Sequence, residues 1–136
     1  MDFLLYLTPV GAEIINTIEK LKITIQENPP ICKKYKDLFG YTDINKFILC
    51  TNNIKNTISP VKFYVNETVY HEAVHVAQNC KKGTLDIENP ILEDRKKIDV
   101  QNSLQHNKDG YHYEVEAYYL EDKPEIVLSY LKKYCL

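Results

Sequence analysis

The stretch NETVYHEAVHVAQNCKKG, residues 66–83, decides how this chain is read. Asn66 is a good helix N-cap and Glu67 suits the positive end of a helix. Lys81 and Lys82 suit the negative end, and Gly83 fits the left-handed residue that closes many helices. A helix over 66–82 is therefore expected, and His71, Glu72 and His75 stand in its middle. At about 100° per residue, two histidines four apart project about 40° from one another, one turn above the other. That is the placement two helical ligands need to share one tetrahedral zinc ion. Glu72 leaves the helix about 100° from His71, too far round to be an equivalent ligand. It is placed instead to act as a general base on zinc-bound water.

The rest of the chain sets the frame. Its 136 residues suit one domain, 1–136, of ordinary globular composition, with 44% hydrophobic and 26% charged residues. The net charge is −2 and no run of like charge occurs, which excludes nucleic acid as an expected partner. Lys, Asn, Ile and Tyr are abundant and Arg95 is the sole arginine, a bias of AT-rich coding such as that of a phage or small bacterium. The opening MDFLLYLTPVGAEII is apolar, but Asp2 replaces a basic start and Pro9 interrupts it, so it is not read as a signal peptide. No apolar run approaches membrane-spanning length, and a soluble, cytoplasmic protein, monomeric or a small oligomer, is expected. Cys32, Cys50, Cys80 and Cys135 show no C-x-x-C spacing; reduced thiols are expected, two bridges being the alternative that an even count allows, with Cys80 a small buried hydrophobe turned away from the histidines.

Local patterns place the other elements. Thr8 and Pro9 open a helix whose stripe is Val10, Ile14, Ile18 and Leu21. A second helix is expected after Pro29 and Pro30, with Ile31, Tyr35, Leu38 and Phe39 on one face and Gly40 as its stop. Residues 47–50 and 61–65 are rich in strand formers and are separated by Asn52, Asn53, Ser59 and Pro60, so a small sheet or hairpin is expected there. Helices follow over 90–106, with Ile91, Arg95, Ile98 and Leu104 on one side, over 111–122, and from Pro124 to the end. The last should face inward through Ile126, Val127, Tyr130, Leu131 and Tyr134. The class is α+β: mostly helical, with a small sheet packed beside the helix that carries the histidines.

A catalytic zinc takes three protein ligands and leaves one position open. The third cannot come from the continuation of the motif, where Gln78 is followed by Asn79, Cys80 and Lys81. Spacing leaves His106, His112, Glu114, Glu116 and Glu121 as candidates. Tyr111, His112 and His106 are candidate donors to an oxyanion.

HEAVH (71–75), followed at a distance by EVEAYYLE (114–121), resembles the zincin metallopeptidases of the gluzincin type. In such families the third ligand is a glutamate in an E-x-x-A helix, whose alanine permits close packing on the first helix. Glu114 and Ala117 match that pattern. The resemblance thus implies a zincin-like fold with His71, His75 and Glu114 as Zn2+ ligands and Glu72 as base. Glu116 is the rival to Glu114; two residues apart on a helix, they point about 200° apart, so only one faces the metal. Those families commonly place Asp or Asn after the alanine to support a ligand histidine, where this chain has Tyr118.

The expected function is a zinc-dependent hydrolase, a small metallopeptidase acting on a peptide or protein substrate, with no nucleic acid or membrane partner. The substrate is expected to lie along an edge strand formed by 61–65 or 47–50. Two alternatives stand beside it: a catalytically silent zinc-binding interaction domain with the same fold, and a small helical interaction protein without metal.

Overall fold

The computed structural model describes residues 1–105 and 110–136. The candidate His106 and most of the gap between the helices expected over 90–106 and 111–122 fall outside the described residues. A short 3-10 helix, Asp2–Tyr6, leads into α1 (Pro9–Lys20), β1 (Thr24–Glu27), α2 (Pro30–Lys34), β2 (Gly40–Thr42), β3 (Lys46–Leu49) and α3 (Thr51–Thr57). The long α4 (Val61–Lys81) follows, then α5 (Asp94–Ser103), α6 (Tyr111–Leu120) and α7 (Pro124–Cys135). The three strands form one sheet in the order β1-β3-β2, with β1 parallel and β2 antiparallel to β3. The fold is α+β, mostly helical, and the sheet packs beside α4 through β2.

Helix α4 is the axis of the molecule. Val65, Val69, Ala73 and Ala77 recur every four residues and are all essentially solvent-free, so one edge of α4 is the centre of the core. Around it pack Ile14 and Ile18 of α1, Phe47 and Leu49 of β3, Ala117 and Leu120 of α6, and Val127 and Leu131 of α7. A satellite cluster of Cys32, Ile48 and Cys50 fills the other face of the sheet.

Helix α1 forms as its sequence indicates. Thr8 is the N-cap, its Oγ1 accepting from Gly11 N at 3.0 Å, and Pro9 occupies the first turn. Such a cap is worth about 1 kcal/mol.

Several expectations are corrected. Residues 61–65 are not a strand; they are the first turns of α4, which starts after Pro60. Their β-branched residues belong to the four-residue stripe that runs on through Val69, and tertiary packing of that stripe outweighs strand propensity. Asn66 is consequently not an N-cap but an interior residue of α4, 4% exposed. Its Oδ1 accepts from Thr8 N at 3.0 Å, and its Nδ2 donates to Tyr6 O at 2.9 Å and Lys62 O at 2.8 Å. The left-handed residue that ends α4 is Lys82, with φ 64°, one residue before the expected Gly83.

Helix α2 stops at Lys34, because Tyr35 turns extended and Gly40 begins β2 rather than ending a helix. Asn52 and Asn53 lie within α3 rather than in a turn; Asn53 Nδ2 donates to the carbonyls of Cys32, Tyr35 and Leu38. Helix α5 starts at Asp94, leaving Ile91 before it, and Ile91 and Ile98 are exposed while Lys96 and Val100 are buried. On α7, Ile126 is exposed and Leu128 is buried in its place.

The cysteines are not thiols. Cys32–Cys50 and Cys80–Cys135 are disulfides with Cα separations of 5.5 and 5.3 Å, within the range a bridge requires. Sequence spacing does not report which distant cysteines meet. Cys80 is therefore not a free buried hydrophobe but ties the end of α4 to the end of α7. Among the described residues no helix is long and apolar enough to cross a membrane.

Candidate metal centre

His71 and His75 lie on successive turns of α4, and α6 lies across them. Ala117 is fully buried at that contact, where a larger side chain would hold α6 away. Three residues N-terminal to it, on the same α6 face, Glu114 reaches both histidines: Oε1 is 3.0 Å from His75 Nε2 and Oε2 is 3.3 Å from His71 Nε2. One ligand atom from each of the three residues lies within 4.8 Å of the others. Ligands about 2.0–2.1 Å from a tetrahedral zinc stand about 3.4 Å from one another, so these separations suit that ion. Two imidazoles and a carboxylate are also a donor set that zinc favours.

Glu114 Oε2 adds a second argument. Among the described residues it is the buried side-chain polar atom without a hydrogen-bond partner. Buried carboxylate oxygens normally carry partners, and an unpaired one 3.3 Å from His71 Nε2 is a position that a cation would satisfy. The residues thus fit the metal that the sequence pattern implies.

Both histidines present Nε2 to this point and engage Nδ1 elsewhere. His71 Nδ1 donates to Glu121 Oε1 at 3.0 Å, and His75 Nδ1 donates to Gln78 Oε1 at 2.8 Å. These bonds select the tautomer that frees Nε2 as a donor to metal. Glu121 stands two helical turns after Glu114, so it shares that face and lies higher along α4. Its other oxygen is 3.8 Å from Nζ of Lys96, a buried lysine that also donates to Tyr118 O at 2.9 Å and lies 3.4 Å from Asp122 Oδ2. Gln78 is held in turn, its Nε2 donating to Tyr113 O at 3.1 Å and Glu116 Oε1 at 2.9 Å.

Glu116 is thus placed away from the histidines. Its carboxylate accepts from Leu85 N at 2.8 and 2.9 Å, fastening the segment after α4. Glu72 is 6% exposed, and its Oε1 accepts from Thr42 Oγ1 at 2.7 Å. His112 and Tyr111 are exposed and pack edge-on against each other, ring centroids 5.2 Å apart. Tyr118 lies with its ring 4.5 Å from that of His71 and its hydroxyl 2.8 Å from Ser103 Oγ. It packs on His71, while Glu121 supplies the hydrogen bond.

The charges are mutually dependent. Burial disfavours a charged His71, but the Glu114 carboxylate 3.3 Å away, the hydrogen bond to Glu121 and the charge of Glu72 outweigh it and hold its pKa well above the ordinary value. His75 is raised by the same balance, burial opposing and Glu114 prevailing. Burial likewise opposes ionisation of Glu114, yet the two histidines hold its pKa far below the carboxylate range. Glu67, one turn before His71, is pushed up to about 7 by burial and by the Glu121 carboxylate. Burial pushes the Tyr118 phenol up to about 12.

The partners of the histidines left only faint marks in the sequence. Gln78 lies at i+3 from His75 and Glu121 at i+7 from Glu114, both face-sharing intervals. Gly40, Thr42 and Lys96 reach the site through tertiary packing and carry no local signal.

The profile of the DUF8637 family, described as a domain of unknown function, matches residues 3–136, and the chain belongs to that family. No curated protein and no solved structure matches the chain.

Proposed function

We propose that this protein is a zinc-dependent hydrolase, a small metallopeptidase. The observation that carries the reading is the buried, unpaired Oε2 of Glu114 facing His71 Nε2, with His75 Nε2 on the other carboxylate oxygen. The resemblance of HEAVH and E-x-x-A to gluzincin metallopeptidases agrees with it.

His71, His75 and Glu114 would hold Zn2+. Bound there, zinc supplies Lewis acidity, which polarises a carbonyl and makes water acidic enough to react near neutral pH. Glu72 takes the proton of the attacking water at its carboxylate and returns it to the leaving amine. Glu121 and Gln78 keep the imidazoles turned so that Nε2 faces inward.

The substrate class is an extended peptide. Neither strand expected from sequence offers a free edge: 61–65 is helical, and β3 is the central strand of the sheet. The sheet's edges are β1 and β2, and β2 is the edge beside Glu72. A peptide paired along β2 would bring its carbonyls past the base.

The disulfides bear on the compartment. Such bonds persist where the surroundings are oxidising, which favours that setting over the expected cytoplasm.

One observation favours a second reading, a zinc-binding domain without turnover. His71 and Glu114 are each 9% exposed, and two surface cavities of about 300 and 370 Å³ take in none of the four site residues. Incubation of zinc-loaded wild type and Glu72→Gln with a broad peptide library separates the two. Cleavage by wild type alone supports the peptidase; equal inertness of both, with zinc bound, overturns it.

A further inference from the structure

We infer that β2 is a holding strand for the base, with Gly40 and Thr42 as positioning residues that fix the Glu72 carboxylate. The inference rests on the zinc-hydrolase reading of the site.

A glutamate on a helix has three rotatable side-chain torsions, and a base must present its oxygen in one place. The contacts that restrain Glu72 come from β2. Strand alternation turns Gly40 and Thr42 toward α4 and leaves Tyr41 exposed on the opposite face. Thr42 Oγ1 lies 2.7 Å from Glu72 Oε1 and 3.2 Å from Glu72 O, so its hydroxyl donates to the side chain and stays close to that residue's backbone. With Oε1 engaged, Oε2 is the oxygen left to accept a proton.

Gly40 acts through what it lacks. A Cβ there would stand 2.8 Å from Glu72 Cγ, 2.8 Å from Thr68 Cγ2 and 3.2 Å from Glu72 Cδ. Any other residue would push either the strand off α4 or the carboxylate out of place. Strand β2 is only three residues long, and its pairing with β3, Gly40 to Leu49 and Thr42 to Phe47, sets its height along α4. The shortest strands of a sheet edge contribute little to a core. Both α4-facing positions of this one lie against Glu72.

The test uses acetohydroxamate on the zinc-loaded full chain. This probe would chelate zinc as its anion; its hydroxyl proton can go to solvent, but a carboxylate placed beside the metal takes it and holds the probe more tightly, so the affinity reports the placement of Glu72 without any substrate. Calorimetry on wild type, Thr42→Val, Thr42→Ser, Gly40→Ala and Glu72→Gln is paired with zinc content and thermal unfolding. Zinc uptake should be unchanged throughout. Thr42→Val and Gly40→Ala should bind the probe about tenfold more weakly, Glu72→Gln at least as weakly, and Thr42→Ser within about twofold of wild type. Should Gly40→Ala fail to fold, the Thr42 pair decides. Wild-type affinity in Thr42→Val, or no rescue by Thr42→Ser in folded, zinc-loaded protein, overturns the holding role alone. Absence of zinc uptake by wild type overturns the zinc reading and this inference with it.

Discussion

Glu121 Oε1 accepts a hydrogen bond from His71 Nδ1 across 3.0 Å, although fifty residues separate the two. The bond reaches a ligand candidate from its far side, and its partner oxygen faces the buried Lys96. Outer hydrogen bonds of this kind orient a ligand and raise its basicity. Glu121→Ala is expected to lower zinc affinity about 10–100-fold, measured by chelator competition, while Glu121→Gln, which keeps an acceptor, loses less. Equal affinity in wild type and Glu121→Ala would remove Glu121 from the site.

Proton competition gives a second expectation. Without metal, His71 and His75 have raised pKa values because Glu114 and Glu121 stabilise their charged forms against the opposing effect of burial. A folded pKa above the unfolded one means stability that is complete below the unfolded value and is lost as pH rises through the folded one. Glu67, raised to about 7, slopes the same way between its ordinary value and 7. Metal-free protein should therefore lose thermal stability as pH climbs from 5.5 to 9. Zinc needs neutral imidazoles, so its affinity should fall as pH drops, beginning above the ordinary histidine range, with protons released on binding at pH 7. Calorimetry in buffers of different ionisation enthalpy measures that release. Binding without proton release would contradict the assignment.

The two glutamates of α6 should separate cleanly. Glu114→Ala removes a carboxylate that touches both histidines and should abolish stoichiometric zinc binding. Glu116→Ala leaves Leu85 N without its acceptor and takes one of two acceptors from Gln78 Nε2, and each buried N–H left unpaired costs about 1–3 kcal/mol. Denaturant unfolding should show a loss of roughly 3 kcal/mol for Glu116→Ala, with zinc stoichiometry kept. The reverse pattern would exchange the roles of the two residues.

The disulfides are expected to be measurable as such. Unfolded, unreduced protein should show no free thiol. Opening Cys32–Cys50, with a sequence separation of 18, should lower stability by about 3 kcal/mol, and opening Cys80–Cys135, with a separation of 55, by about 4. Four reactive thiols in protein prepared without reductant would exclude both bridges.

How much could be read beforehand depended on how local the cause was. Thr8 and Pro9 placed α1 because a cap and its proline act within one turn. His71, Glu72 and His75 were readable because helix geometry alone sets their angles. Residues 61–65 are ambiguous in sequence because a short β-branched run carries both periods, and only its continuation into Val69 and Ala73 decides for helix. Strand β2 and the pairing of Cys80 with Cys135 left no trace, since each depends on a partner distant in sequence. Glu121 was visible as a carboxylate on the Glu114 face, but its work on His71 follows from the height at which α6 crosses α4.

Zinc-edge anomalous diffraction from crystals of the zinc-loaded chain tests the central claim most directly. One peak is expected, about 2.0–2.2 Å from His71 Nε2, His75 Nε2 and a Glu114 oxygen. No peak, or a peak bound by other side chains, would contradict it.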